Sequence, residues 1–317
     1  MKRIVALLLC LLLLAGCAPA GQDEQQVQVN IVATTYPAYL AALTVTEGVD
    51  RVSVSRLDTG SVSCLHDYTL TVSDMKKLSR ADVIVMNGAG MEDFMSDALA
   101  TSTAAVIDCS EGVSLLPATG HHDHDHEHHD HDSHFDGHYW MDPIQMAAAV
   151  DAVLTGLLPL LGEGHAATLT YNASTAHLLL NQCYTSGLDA VQDLSAANAQ
   201  LITFHDGFAY FAAAFGLPLL ASIEEEAGSE ASAKEIIHVT ELVREYELPA
   251  IFTEVNGSDA TARAISRETG CGVYALSTIM DGREPFADDL SPITPYIEAI
   301  NINLATIVGA FSPKEVE

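Results

Sequence analysis

The densest chemistry in the sequence is an internal tract in which imidazole and carboxylate side chains alternate. From His121 to Asp136, eight residues are His and six are Asp or Glu. Neutral imidazole and carboxylate bind borderline divalent ions such as zinc, whereas side chains this polar do not form a packed core. The tract therefore indicates transition-metal handling, with a solvated acidic loop as the simpler alternative. Its candidate ligands are His121, His122, His124, His126, His128, His129, His131 and His134.

Two α/β lobes are predicted around this tract, because short apolar strands alternate with helical segments from Val29 onward. His205 directly follows the predicted strand Leu201–Phe204, and α/β lobes bind ligands beyond the carboxyl ends of such strands. Between the lobes, Ala166–Leu194 is predicted to be one long helix. The expected limits are 29–143 for the first lobe, with a disordered His-rich loop at 120–137, then 144–198 for a helical connector and 199–317 for the second lobe.

The excess of acidic over basic residues indicates which partners the protein can bind. The chain has 317 residues, of which 49% are hydrophobic, so it can bury a large core. Asp and Glu number 43 against 13 Lys and Arg, which gives a formal charge of -30. Such a surface repels nucleic acid and raises the local concentration of cations. A nucleic-acid partner is therefore not expected.

The N-terminus has the pattern of an export signal, because Lys2 and Arg3 precede the apolar run Ile4–Leu14. This run is shorter than the roughly 20 residues that a spanning helix needs. Its end, Leu14-Ala-Gly-Cys17, resembles the lipobox of bacterial lipoproteins, which implies cleavage before Cys17 and acylation of that residue. Residues 1–17 are thus expected to be a lipoprotein signal and 18–28 a flexible tether, so that the protein is anchored outside the cytoplasm. An ordinary cleaved signal is the alternative.

Four cysteines follow the predicted lipidation site: Cys64, Cys109, Cys183 and Cys271. In an exported protein they suggest disulfides, with three possible connectivities. Cys64 and Cys109 both follow predicted strands of the first lobe, so this pairing is favoured.

Three segments resemble one known family, the zinc- and manganese-type metal-binding lipoproteins of bacterial ABC importers. His66–Asp74 resembles the signature His-Asp-Tyr-x-Leu-Thr-Pro-Ser-Asp, with Val72 in place of Pro. His138–Pro143 resembles His-x-Trp-x-Asp-Pro, and His205–Phe211 resembles His-Asp-x-Phe-x-Tyr-Phe. His-rich insertions before the second motif are typical of the zinc-specific members. The resemblance extends over nearly the whole mature chain.

The resemblance implies that His66, His138 and His205 bind one ion in the cleft between two Rossmann-like lobes, which a long rigid helix joins. The ion is expected to be Zn²⁺, because this chain has His205 at the third ligand position, where manganese members often have Glu. Mn²⁺ is the alternative. The protein is expected to be a monomer without enzymatic activity that delivers the ion to an ABC permease.

The fourth ligand is left open by the sequence. Some members use a carboxylate just before the first His, where this chain has Leu65. Asp281, which follows the last predicted strand, is favoured, followed by water and then Glu254.

Two other kinds of protein remain as alternatives. Three His ligands with an open fourth position also describe a catalytic zinc site, although neither HExxH nor GxSxG occurs. A metal-buffering or adhesin lipoprotein without a transporter is the second. Whichever of these functions applies, the tract from His121 to Asp136 is expected to bind several ions weakly, because each bound ion must order a flexible chain.

Overall fold

The computed structural model of the protein describes residues 28–59, 65, 68–118, 135–194, 199–223 and 231–312. The strands are β1 Val29–Ala33, β2 Val52–Arg56, β3 Val83–Met86, β4 Ala105–Asp108, β5 Leu201–Phe204, β6 Leu219–Ser222, β7 Ala250–Glu254 and β8 Gly272–Leu276. The helices are α1 Tyr36–Val45, α2 Val72–Leu78, α3 Ser96–Thr101, α4 Pro143–Leu161, α5 Glu163–Val191, α6 Ala209–Ala214, α7 Ala233–Glu245, α8 Ala260–Thr269 and α9 Thr294–Phe311, with single 3-10 turns at Asp93–Met95 and Tyr139–Met141.

The strands form two four-stranded sheets, one in each lobe. The first has the order β2-β1-β3-β4 and the second the order β6-β5-β7-β8. Every pair of neighbouring strands is parallel, so the carboxyl ends of all the strands in a sheet lie at the same edge. The predicted two-lobed α/β architecture is therefore confirmed.

Local capping signals set the starts of two helices near these edges. Thr71 and Asp74 form a reciprocal capping box at the start of α2. Asp142 caps α4 by accepting a hydrogen bond from the backbone N–H of Ile144, and Pro143 occupies the first turn, where a missing N–H costs nothing. The chain therefore enters α4 immediately after the 3-10 turn that follows His138.

The long helix α5 connects the lobes and spans 29 residues, close to the predicted Ala166–Leu194. A glycine lies where this helix packs against the second lobe. A Cβ atom on Gly187 would be 2.3 Å from Cε1 of Phe215 and 2.9 Å from Cδ1 of Leu304 in α9. Gly187 therefore lets α5 pack directly against the second lobe.

The apolar helix α4 is the one helix of the described ranges that is long and apolar enough to cross a membrane by length and composition. It packs against α1 and α5. Its buried residues belong to the main hydrophobic core, and they include Met146, Val150, Val153 and Leu157. Packing in the core accounts for this apolar composition.

Candidate metal centre

Two imidazoles, one from each lobe, face each other in the cleft. His205 directly follows β5, and His138 directly precedes the 3-10 turn Tyr139–Met141. Their Nε2 atoms are 3.4 Å apart, and their rings lie nearly perpendicular with centroids 5.2 Å apart. His138 is 6% exposed and His205 is 1% exposed. The sequence motifs thus identified two residues that the fold brings into contact.

Hydrogen bonds to both lobes fix the turn that carries His138. The Tyr139 hydroxyl donates to the Asn87 carbonyl of the first lobe at 2.7 Å. The Trp140 indole donates to the Thr278 carbonyl of the second lobe at 2.8 Å, and the Tyr296 hydroxyl donates to the Trp140 carbonyl at 2.6 Å. The position of His138 is therefore defined relative to the second lobe as well as the first.

The other ring nitrogen of His138 faces a carboxylate. Nδ1 is 2.7 Å from Oδ1 of Asp136, and the same oxygen accepts the backbone N–H of His138 at 2.8 Å. In the sequence, Asp136 is only one carboxylate of the His/Asp tract. Its position two residues before a candidate ligand is the one local signal that distinguishes it from the others.

Close packing surrounds His205. The Thr203 hydroxyl donates to the His205 carbonyl at 3.1 Å. A Cβ atom on Gly207 would lie 2.8 Å from Cδ2 of His205 and 3.1 Å from Cδ2 of His138. Gly207 thus lets the backbone approach both imidazoles.

Glu254 lies beside His205 at the edge of the second sheet. The register pairs Phe204 with Thr253, so the next residues, His205 and Glu254, lie at adjacent carboxyl ends of β5 and β7. Glu254 is 3% exposed, and its Oε1 accepts a short hydrogen bond from the Thr278 hydroxyl. Glu254 is thus a buried carboxylate at the end of the strand that neighbours the one preceding His205.

Asp281 has a different environment. Its Oδ1 is 2.8 Å from Nη2 of Arg56, and its side chain is 45% exposed. The guanidinium of Arg56 lies over the ring of Tyr36, 4.7 Å from its centroid. In this structure the carboxylate favoured by the sequence as fourth ligand is thus engaged in an ion pair between the lobes.

Several predicted site residues fall outside the described residues. They are His66, Cys17, Cys64 and the eight tract histidines from His121 to His134. On either side of His66, Leu65 and Tyr68 are buried. Within the part of the chain that the structure describes, no group of three or more His, Cys, Asp or Glu side chains is arranged to hold a metal.

The predicted disulfide between Cys64 and Cys109 stays a prediction, because Cys64 lies outside the described residues. Among the described residues, Cys109 is a free thiol, and its side chain packs in the main core, where it is 1% exposed. Burial raises the pKa of this thiol well above its ordinary value, and the nearby Glu92 and Asp108 raise it further. The residue therefore serves as a small apolar core residue.

Comparison with known proteins identifies the family to which this chain belongs. A family model described as zinc-uptake complex component A, periplasmic (ZnuA), matches residues 31–310. The zinc-binding lipoprotein AdcA of Streptococcus pneumoniae is 28% identical over 321 residues, which cover 97% of this chain and 60% of that protein. The zinc-binding protein TroA of Treponema pallidum is 27% identical over 260 residues, covering 78% of each. The chain thus spans only 60% of the length of AdcA.

Solved structures share the two-lobed fold. The crystal structure of ZnuA has a TM-score of 0.73 and 23% sequence identity, and the match covers 90% of this chain and 99% of that one. A mutant of the laminin-binding adhesin Lmb from Streptococcus agalactiae has a TM-score of 0.72 and 21% identity, over 90% and 100% of the two chains. At these identities the likeness concerns the fold. Since the family model matches most of the sequence, the chain belongs to the family of the periplasmic zinc-uptake complex component A.

Proposed function

We propose that this protein captures Zn²⁺ outside the cytoplasm and delivers it to an ABC permease. The spacing of the His138 and His205 Nε2 atoms, 3.4 Å, is the observation that carries the proposal. Two imidazole nitrogens bound to one tetrahedral zinc at about 2.0–2.1 Å lie about 3.3–3.4 Å apart. The pair is therefore spaced as two ligands of one ion.

The proposed ligands are His66 and His138 from the first lobe and His205 from the second, as the motifs indicate. For the fourth position, Glu254 is favoured over Asp281, because Glu254 is buried at the end of the strand next to the one preceding His205, whereas the carboxylate of Asp281 is paired with Arg56. Imidazole and carboxylate ligands suit zinc, and Mn²⁺ is the alternative cargo.

Anchoring and partner follow from the N-terminal pattern and the family. Cys17 in the sequence Leu-Ala-Gly-Cys supports a lipid anchor, and the relative AdcA is named a zinc-binding lipoprotein. The family is described as a periplasmic component of a zinc-uptake complex, which supports a membrane permease as the partner of a monomeric binding protein.

Metal content tests the proposed cargo. Native mass spectrometry after exposure to equimolar Zn²⁺ and Mn²⁺ is expected to find one tightly bound zinc. The His138→Ala and His205→Ala variants are expected to lose it, because each lacks one of the facing nitrogens. His177→Ala is the matched control, since this histidine pairs with Asp151 on the surface. Predominant Mn²⁺ at the tight site, or tight zinc in both cleft variants, would contradict the proposal.

A second comparison tests the fourth ligand. Glu254→Ala is expected to weaken zinc binding by about tenfold or more, the scale seen when groups at a metal site are removed, and Asp281→Ala is expected to weaken it less. Chelator competition measures both affinities. The reverse order would restore Asp281 as the ligand.

Delivery itself is tested by growth in zinc-poor medium, which should depend on the protein if it supplies a transporter rather than acting as a buffer or adhesin.

A further inference from the structure

The carboxylate of Asp136 sets the proton arrangement of His138. An ionised carboxylate only accepts hydrogen bonds, so the Nδ1 atom 2.7 Å from it must carry the proton. In the neutral ring the lone pair then lies on the other nitrogen, Nε2. That nitrogen faces Nε2 of His205. Asp136 thus selects the tautomer in which the metal-binding lone pair points into the cleft.

A tyrosine from the second lobe holds Asp136 in place. Tyr210 lies in α6, which begins four residues after His205. Its hydroxyl donates to the Asp136 carbonyl at 2.9 Å and accepts the backbone N–H of Leu116 at 2.7 Å. Burial raises the pKa of Tyr210 to about 12, so the hydroxyl keeps its proton at neutral pH.

The two segments that Tyr210 joins are also bonded to each other. The backbone N–H of Asp136 donates to the Leu116 carbonyl at 2.9 Å, and Pro117 and Phe135 form an antiparallel bridge. One phenol therefore ties this pair of segments, and with it the carboxylate that orients His138, to the helix that follows His205.

We propose that Asp136 and Tyr210 are positioning residues for the metal site: Asp136 holds His138 in its Nδ1–H tautomer, and Tyr210 holds Asp136 in register with the lobe that carries His205. This inference rests on the proposed zinc site. It assigns Tyr210 a role across the cleft that acts through Asp136.

The test combines zinc affinity with a direct measurement of the tautomer. Asp136→Ala removes the acceptor, so zinc affinity is expected to fall about 10- to 100-fold, the usual effect of losing a group that orients a metal-bound imidazole. Asp136→Asn keeps an acceptor oxygen and is expected to recover most of that loss. Tyr210→Phe is expected to lower the affinity by a smaller factor. Asp151→Ala, which breaks the exposed Asp151–His177 pair, is the matched control and should change nothing.

Ring ¹⁵N–¹H correlation spectra of the metal-free protein at pH 8 report the tautomer without any zinc. The His138 signals, assigned by their absence in His138→Ala, are expected to show Nδ1–H in the unmodified protein and a mixture in Asp136→Ala. A purely structural role for Asp136 would lower the melting temperature and leave the tautomer unchanged.

The outcomes separate the two proposals. Wild-type affinity in Asp136→Ala, an unchanged tautomer in that variant, or no recovery in Asp136→Asn would overturn the positioning role. If the unmodified protein bound no zinc, the proposed function would fail. The tautomer spectra of the metal-free protein would even then decide whether Asp136 orients His138.

Discussion

At the scale of single residues, the first lobe contains a buried carboxyl group away from the imidazole pair. Glu92 accepts hydrogen bonds from the Thr34 hydroxyl at 2.6 Å and from the backbone N–H groups of Asn87 and Gly88 at 2.7 and 2.9 Å. Burial nevertheless dominates and raises the pKa of Glu92 from 4.5 to about 7, and the nearby Asp108 adds to this rise. The three donors hold the end of β3 against the turn that follows it.

This pKa predicts that Glu92 makes the protein less stable as the pH rises. Between the unfolded value of 4.5 and the folded value of about 7, the folded state holds the proton and the unfolded state has lost it. The contribution of Glu92 is therefore fully present below pH 4.5 and is lost as the pH passes 7, at a cost on the order of 3 kcal/mol. Denaturant unfolding at several pH values, compared with Glu92→Gln, measures it. Equal slopes in the two proteins would contradict the prediction.

At the scale of elements, the long helix α5 depends on one position for its packing against the second lobe. Its predicted and observed ranges agree to within three residues, because its apolar periodicity is sustained over many turns. Gly187 is a poor helix former, and the sequence alone showed only this cost. The closeness of Phe215 and Leu304 supplies its structural reason.

Gly187→Ala is accordingly expected to destabilise the fold by about 1–3 kcal/mol, because overpacking outweighs the better helix propensity of Ala. Gly309→Ala in α9 is the matched control, since a Cβ atom there meets nothing within 4 Å. The control should be neutral or stabilised by up to about 1 kcal/mol. Thermal and urea unfolding measure both variants, and a Gly187→Ala protein as stable as the control would show that α5 can shift away without cost.

At the scale of the whole molecule, the lobes are joined by packing as well as by the connector. The main hydrophobic core is one cluster that includes Ile31 of the first sheet, Phe252 of the second and residues of α4 and α5. Across the cleft, Arg56 pairs with Asp281, and Tyr39 donates to Glu284 at 2.8 Å. Continuous core and cross-cleft contacts together favour small adjustments over a wide hinge opening.

The Arg56–Asp281 pair is expected to contribute more than an ordinary surface ion pair. Arg56 is held over the rings of Tyr36 and Tyr39, so less side-chain entropy is lost when the pair forms. A double-mutant cycle of Arg56→Ala and Asp281→Ala should give a coupling free energy of about 1 kcal/mol, at the upper end for exposed pairs.

The matched control is the Arg263–Asp259 pair, which lies at similar distance but along a single helix. Its cycle should give a smaller coupling free energy, because both side chains are exposed to solvent. A coupling between Arg56 and Asp281 no larger than this would mean that the pair does not hold the lobes together.

The sequence by itself determined the main elements of this protein and identified two candidate ligands that the fold brings together. Local sequence patterns predict the buried parallel strands, the long helix and the His138 and His205 motifs. Such patterns can be recognised without knowing which distant residues the fold brings together. Tertiary structure decided which groups meet. Asp136 faces an imidazole, Cys109 packs in the core, and Asp281 pairs with Arg56 whereas Glu254 is buried at the end of β7. Each of these outcomes depends on side-chain direction or on contacts between residues distant in sequence. Composition alone carries no information about those contacts, because the folded chain creates them.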